Sequence, residues 1–215
     1  VWVRVPLGAL PFKKQERIHT MLPIRPLESN AELNPVADAE WNVKIFSSTS
    51  LFSDIITPID PENVARGHKI PVFQYPLDPD RTGYLDWDNK GAFIVINSNN
   101  NVSEYSFSPQ QRYTIACCLG YFYYIQRLNF PQVQQNCYIS NFYHTDIKGE
   151  YVTRFATSLL MPEKAVHAKF DMLTNLDTHM RDTFSIADDI TALAHIFNVT
   201  EKDMAKRLYD LGINA

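Results

Sequence analysis

"RYTIACCLGYFYYIQRL", residues 112–128, decides the fold. Its apolar residues run almost without interruption, and the preceding "SFSPQQ" marks a helix start. Ser108 can cap it, Pro109 suits the first helical position, and Gln111 at N3 completes a capping box. The stretch is expected to be a long helix buried on most sides. Inside it stand Cys117, Cys118, Gly120 and Tyr121, a combination that ordinary core packing does not require.

On the N-terminal side, "KIPVFQYPL" and "GAFIVINSN" are β-branched and aromatic runs bounded by turn residues, with "RTGYLDWDNKG" between them. A small antiparallel sheet is expected there. Ahead of it, "PIDPENVARGHK" offers Asp60 as N-cap, Pro61 at N1 and Glu62 in the first turn of a short helix. Earlier still, "PVADAEWNVKIFSSTSLFSDIIT" reads as a helix that packs on the rest.

On the C-terminal side, the Asn-, Gln- and Tyr-rich loop "NFPQVQQNCYISNFYHTDIKG" leads to a second core helix, "EYVTRFATSLL". Met161 and Pro162 stop that helix, and "PEKAVHAKFDML" resumes in a new direction. The tail, "SIADDITALAHIFNVTEKDMAKRLYDLGI", has the form helix, short turn, helix. Thr200 would cap its second helix with Asp203 at N3, and Gly212 would supply the left-handed terminal residue. The pattern is α+β. Residues 1–35 are expected to be an N-terminal extension, with the part before Met21 read as partly vector-derived, residues 36–175 the main domain, and residues 176–215 a helix-turn-helix-like subdomain.

Composition narrows the function classes. With 45% hydrophobic and 13% aromatic residues the chain can bury a core, which excludes global disorder. A formal charge of −4 argues against a protein that works mainly by neutralising nucleic-acid phosphates. The three cysteines, Cys117, Cys118 and Cys137, do not make a disulfide framework, and a reducing, cytoplasmic setting is expected. The longest apolar run, residues 114–125, is shorter than the roughly 20 residues a membrane span needs.

Taken in order, "PIDPENVARGHKIPVF", "GAFIVINS", "SPQQRYTIACCLGYF", "FATSLLMP" and "ITALAHIFNVTEKDMAKRLYDLGI" resemble the ImmA/IrrE family of zinc-dependent metallopeptidases. The resemblance runs from about Pro58 to Ile213 and implies a zincin-like fold: a small sheet packed on the helix that bears the metal motif. In that family HELGH follows a segment like "RYTIA". Histidines at i and i+4 share a helical face and bind zinc, and the glutamate between them activates the metal-bound water. Here the same positions read "CCLGY". Cys117 stands for the first histidine, Cys118 for the glutamate and Tyr121 for the second histidine. Tyr151 stands where the family has its third ligand, a glutamate four residues before the phenylalanine of the "FAxxLLMP" segment.

The resemblance thus implies a fold whose catalyst is gone: no catalytic residue, no cofactor, and a bacterial or phage protein acting on or beside Xre/Cro-type repressors by binding alone. Two alternatives stay open. In one, an unusual zinc site drawn from Cys117, His144 and Glu150 preserves proteolysis, although Glu150 lies one residue, about 100° of helix, from the expected position. In the other, residues 186–213 bind DNA through cations such as Lys206 and Arg207, even though the charges of "TEKDMAKRLYD" nearly cancel.

Overall fold

A computed structural model describes residues 33–48, 59–100, 107–128, 137–140, 147–176 and 186–213. The protein is a mixed α+β fold in which a small sheet packs against several helices, the C-terminal ones included. The helices are α1 (Pro35–Ser48), α2 (Pro61–Gly67), α3 (Pro109–Arg127), α4 (Ile147–Leu160), α5 (Glu163–Leu176), α6 (Ile186–Phe197) and α7 (Glu201–Asp210). The strands are β1 (Val72–Tyr75), β2 (Arg81–Asp88), β3 (Gly91–Asn97) and β4 (Cys137–Ser140), side by side in the order β1-β3-β2-β4.

The sheet is not wholly antiparallel, which corrects the expectation. β2 pairs antiparallel with β3 and β4, but β1 lies parallel to β3. Asp88 Oδ1 accepts hydrogen bonds from the Lys90 and Gly91 amides at 2.8 and 3.1 Å, closing a two-residue hairpin that locks β3 against β2. β4 takes the outer edge of β2, so β1, which runs opposite to β2, pairs with the far side of β3 and is parallel to it. The continuous apolar run of β3, with Phe93 to Ile96 all buried, is the mark of a central strand, and it is compatible with a parallel neighbour.

The start of α3 is built as its residues require. The Gln111 amide donates to Ser108 Oγ at 3.3 Å, and the Ser108 amide donates back to Gln111 Oε1 at 3.0 Å. Gln111 also donates through Nε2 to the Asn97 carbonyl at 3.0 Å, tying the helix start to the end of β3. From there α3 crosses the sheet at very short range. A Cβ on Gly83 of β2 would lie 2.6 Å from the Val95 carbonyl oxygen and 2.7 Å from the Thr114 methyl, so only glycine fits. Gly120 plays the same part toward α4, where an added Cβ would meet Val152 and Phe155 at 3.2 and 3.3 Å.

Helix boundaries elsewhere follow the expected caps. Asp60 Oδ1 accepts from the Glu62 amide at 3.0 Å, and Thr200 Oγ1 from the Asp203 amide at 3.1 Å. After α7, Gly212 adopts φ 67°, with Gly212 N bonded to the Tyr209 carbonyl and Ile213 N to that of Leu208, a Schellman ending. The α6–α7 pair shares the main core through Leu193, Phe197, Met204 and Leu208. Two buried arginines pin it there: Arg112 donates to the Asn198 and Ile59 carbonyls at 3.3 and 2.8 Å, and Arg207 to the Met161 carbonyl at 3.0 Å. Among the described residues, no helix is long and apolar enough to cross a membrane.

Candidate functional site

Among the described residues α3 and α4 make the widest helix contact, and the positions singled out in the sequence lie on both. Cys117 and Tyr121 are one helical turn apart and both 4% exposed, while Cys118 is fully buried in the core. Burial pushes the Cys117 thiol up to about 12. A hydrogen bond with the Tyr113 side chain pulls weakly the other way, and the field of Asp203 adds to the rise. A thiol so held, in the absence of a metal, stays protonated and is a poor nucleophile near neutral pH. Over the Tyr121 ring, 4.6 Å from its centroid, lies the ammonium of Lys148 in the first turn of α4.

Tyr151 is turned to a different use. Its hydroxyl donates to Asp38 Oδ2 at 2.6 Å, and Asp38, on α1, is ion-paired with Arg127 at the end of α3. Arg127 Nε donates to the same Oδ2 at 3.1 Å, and its Nη2 reaches Oδ1. Burial opposes the charge on Arg127, but the bond and field of Asp38 outweigh it and raise its pKa. Burial also raises the Tyr151 phenol, and the bond to Asp38 raises it further, so Tyr151 stays protonated. Its oxygen is a committed donor.

Beside this triad lies a second group that sequence reasoning missed. Asn42, one turn after Asp38, donates to the Asp38 carbonyl at 2.8 Å. Asn42 Oδ1 accepts from the Tyr123 hydroxyl at 2.9 Å and stands 3.0 Å from His68 Nε2, which is itself 2.9 Å from the Tyr123 oxygen. His68 ends α2, packs edge-on to Tyr123 with ring centroids 5.4 Å apart, and is lowered from 6.5 to about 4 by burial. The usable signal lay in α1. Asp38 and Asn42 sit at i and i+4 beside Ala39, on the face that should be apolar if α1 docked by hydrophobic burial alone.

Of the alternative ligands Cys117, His144 and Glu150, the described residues include Cys117, buried in the core, and Glu150. Glu150 is exposed and paired with Arg154 at 2.8 Å on the surface of α4. His144 and most of the loop of residues 129–149 lie outside the described residues. Among the described residues, no three His, Cys, Asp or Glu side chains come together as a metal-binding group. At the positions that the resemblance assigns to zinc ligands stand a buried thiol, a phenol under an ammonium, and a phenol donating to an ion-paired carboxylate, of which the thiol alone is a usual zinc-ligand type.

The DNA alternative is narrowed by the same geometry. Lys206 is exposed on α7, but Arg207 is spent on the Met161 carbonyl inside the fold. Compared with known proteins, the chain matches no protein-family model and no curated protein.

Proposed function

We propose that this chain is a catalytically inactive, metallopeptidase-like protein of the ImmA/IrrE type, a pseudopeptidase that acts by binding a regulatory protein such as an Xre/Cro-type repressor without cutting it. The carrying observation is the fate of Tyr151. At the position of the family's third ligand, the side chain is locked as a hydrogen-bond donor to Asp38, itself neutralised by Arg127. A ligand must offer a lone pair, whereas this one offers a proton. Cys117, Cys118 and Tyr121 support the reading because each fills volume as a buried neutral group, where unliganded histidines and a glutamate would sit underpaired. With neither a metal-ligand set nor a general base among these side chains, these positions offer no means to activate water.

The test is elemental analysis of protein exposed to zinc and cleared of loosely held ion, followed by incubation with purified Xre/Cro-type repressors. Below about one tenth of an equivalent of zinc is expected, together with an intact repressor that co-elutes with the chain. One tightly held zinc per chain, or a cleaved repressor, would overturn the reading.

A further inference from the structure

We infer that α1 is a proton-releasable strap: protonation of His68 undocks α1 from α3 and α4 while the rest of the core stays folded. The geometry of attachment carries this. Among the described side chains of α1, Asp38, Ala39 and Asn42 are buried, and the two polar ones are each tied to side chains of other elements. Val43 and Leu33 add partly buried apolar contact. A hydrogen-bonded cluster thus fixes α1 against its neighbours, and His68 is a member of that cluster through Asn42.

His68 has one nitrogen to spare. Nε2 faces Asn42 Oδ1 and the Tyr123 oxygen, whereas Nδ1 is buried with no hydrogen-bond partner among the described residues. With the hydrogen on Nε2, the neutral ring leaves at Nδ1 only a bare lone pair, the less costly orphan. A second proton must go to Nδ1, creating a buried N–H without an acceptor and a cation whose ring lies 6.1 Å from that of Phe122.

Among the described residues, no charge close to the ring is left to compensate it. From α1 the ring meets neutral Asn42, with Asp38 one turn away and already paired with Arg127 of α3. From α3 it meets Tyr123 and Phe122, and Tyr151 of α4 reaches the cluster through Asp38. On its own side, Arg66 is paired with Glu62 at the surface, Lys69 is exposed, and β1 carries no charged residue. Burial alone lowers the ring from 6.5 to about 4. An opened state regains the ordinary value and binds the proton more readily. The His68 contribution to docking is therefore at full strength above about pH 6.5, is lost as pH falls from 6.5 toward 4, and changes no further below that.

Hydrogen exchange on the wild-type chain, corrected for intrinsic rates, tests this between pH 7 and 4. Amides of α1 should lose protection by up to about 300-fold across that window, and at each pH they should be less protected than the centre of α3. The 15N resonances of the His68 imidazole should titrate over the same range, and His68→Phe, if it folds, should flatten the α1 profile. A pH-independent α1, or α1 and α3 exchanging with equal protection throughout, would overturn the proposal.

Discussion

α3 is gripped in two ways. Against the sheet and α4 it packs by close approach of small and apolar groups: Gly83 under Thr114, Gly120 against Val152 and Phe155, and a core of Ile115, Leu119, Leu159 and Leu160. Toward α1 it offers Tyr123 and Arg127, which meet Asn42 and Asp38. The first contact derives its strength from area and is indifferent to pH. The second derives its register from hydrogen bonds, because a buried ion pair repays its desolvation only when every partner is in place. The core supplies stability, and the polar cluster supplies position.

The strongest way to break the first grip is Gly83→Val. Its Cβ would lie 2.6 Å from a backbone oxygen of the neighbouring strand, which cannot swing aside as a side chain can. Loss of cooperative folding is expected, seen as a missing thermal transition by circular dichroism. A folded protein with near-normal Tm would mean that α3 sits farther from the sheet. Against the second grip, Asp38→Ala strands Arg127 buried and unpaired, at a cost of about 3–5 kcal/mol. Pairing Asp38→Leu with Arg127→Met should restore most of that, since both charges then leave together. Chemical denaturation of the single and double variants checks the difference, and equal destabilisation would show that packing rather than charge holds α1.

A smaller effect separates the members of the cluster. Tyr151→Phe removes one donor to a charged acceptor and leaves the Asp38–Arg127 pair intact, so about 1.5–3 kcal/mol should be lost. Denaturant midpoints measure it. No loss would mean that the bond is replaced at little cost, and the commitment of Tyr151 on which the proposed function leans would fall with it.

The two grips also differ in how far the sequence revealed them. Caps and apolar runs are local, so the start of α3 at Ser108, the break at Met161–Pro162 and the left-handed Gly212 were all legible before any coordinates. The parallel pairing of β1 was not, because it depends on the distant β4 taking the outer edge of β2, where β1 would have paired antiparallel. The cluster was hidden for a stronger reason. Asp38, His68, Tyr123 and Tyr151 come from four different helices or their caps, and residue type alone does not show that a lone aspartate in one helix completes a tyrosine over a hundred positions away. Cys117 and Tyr121 could be singled out by spacing, yet their chemical state depends on Tyr113, Asp203 and Lys148, whose contributions are set by three-dimensional placement.

Lys69 lies where the two grips share a backbone, and it gives the smallest expected effect. It adopts φ 58°, a left-handed conformation that favours glycine, and it reverses the chain between His68, turned into the cluster, and Ile70, turned into the apolar core. The Ile70 amide closes that turn on the Ala65 carbonyl at 2.9 Å. The exposed lysine side chain contributes little to either grip. Lys69→Gly should therefore relieve strain without removing a buried contact, for a gain of about 0.5–1 kcal/mol once the extra chain entropy of glycine is subtracted. Because the strained residue serves both contacts, calorimetry should show a Tm rise of about 2 °C, and protection of α1 and α3 against hydrogen exchange should increase together. A gain confined to α1 would place the strain inside the polar cluster, and a loss would mean that the lysine side chain holds the turn.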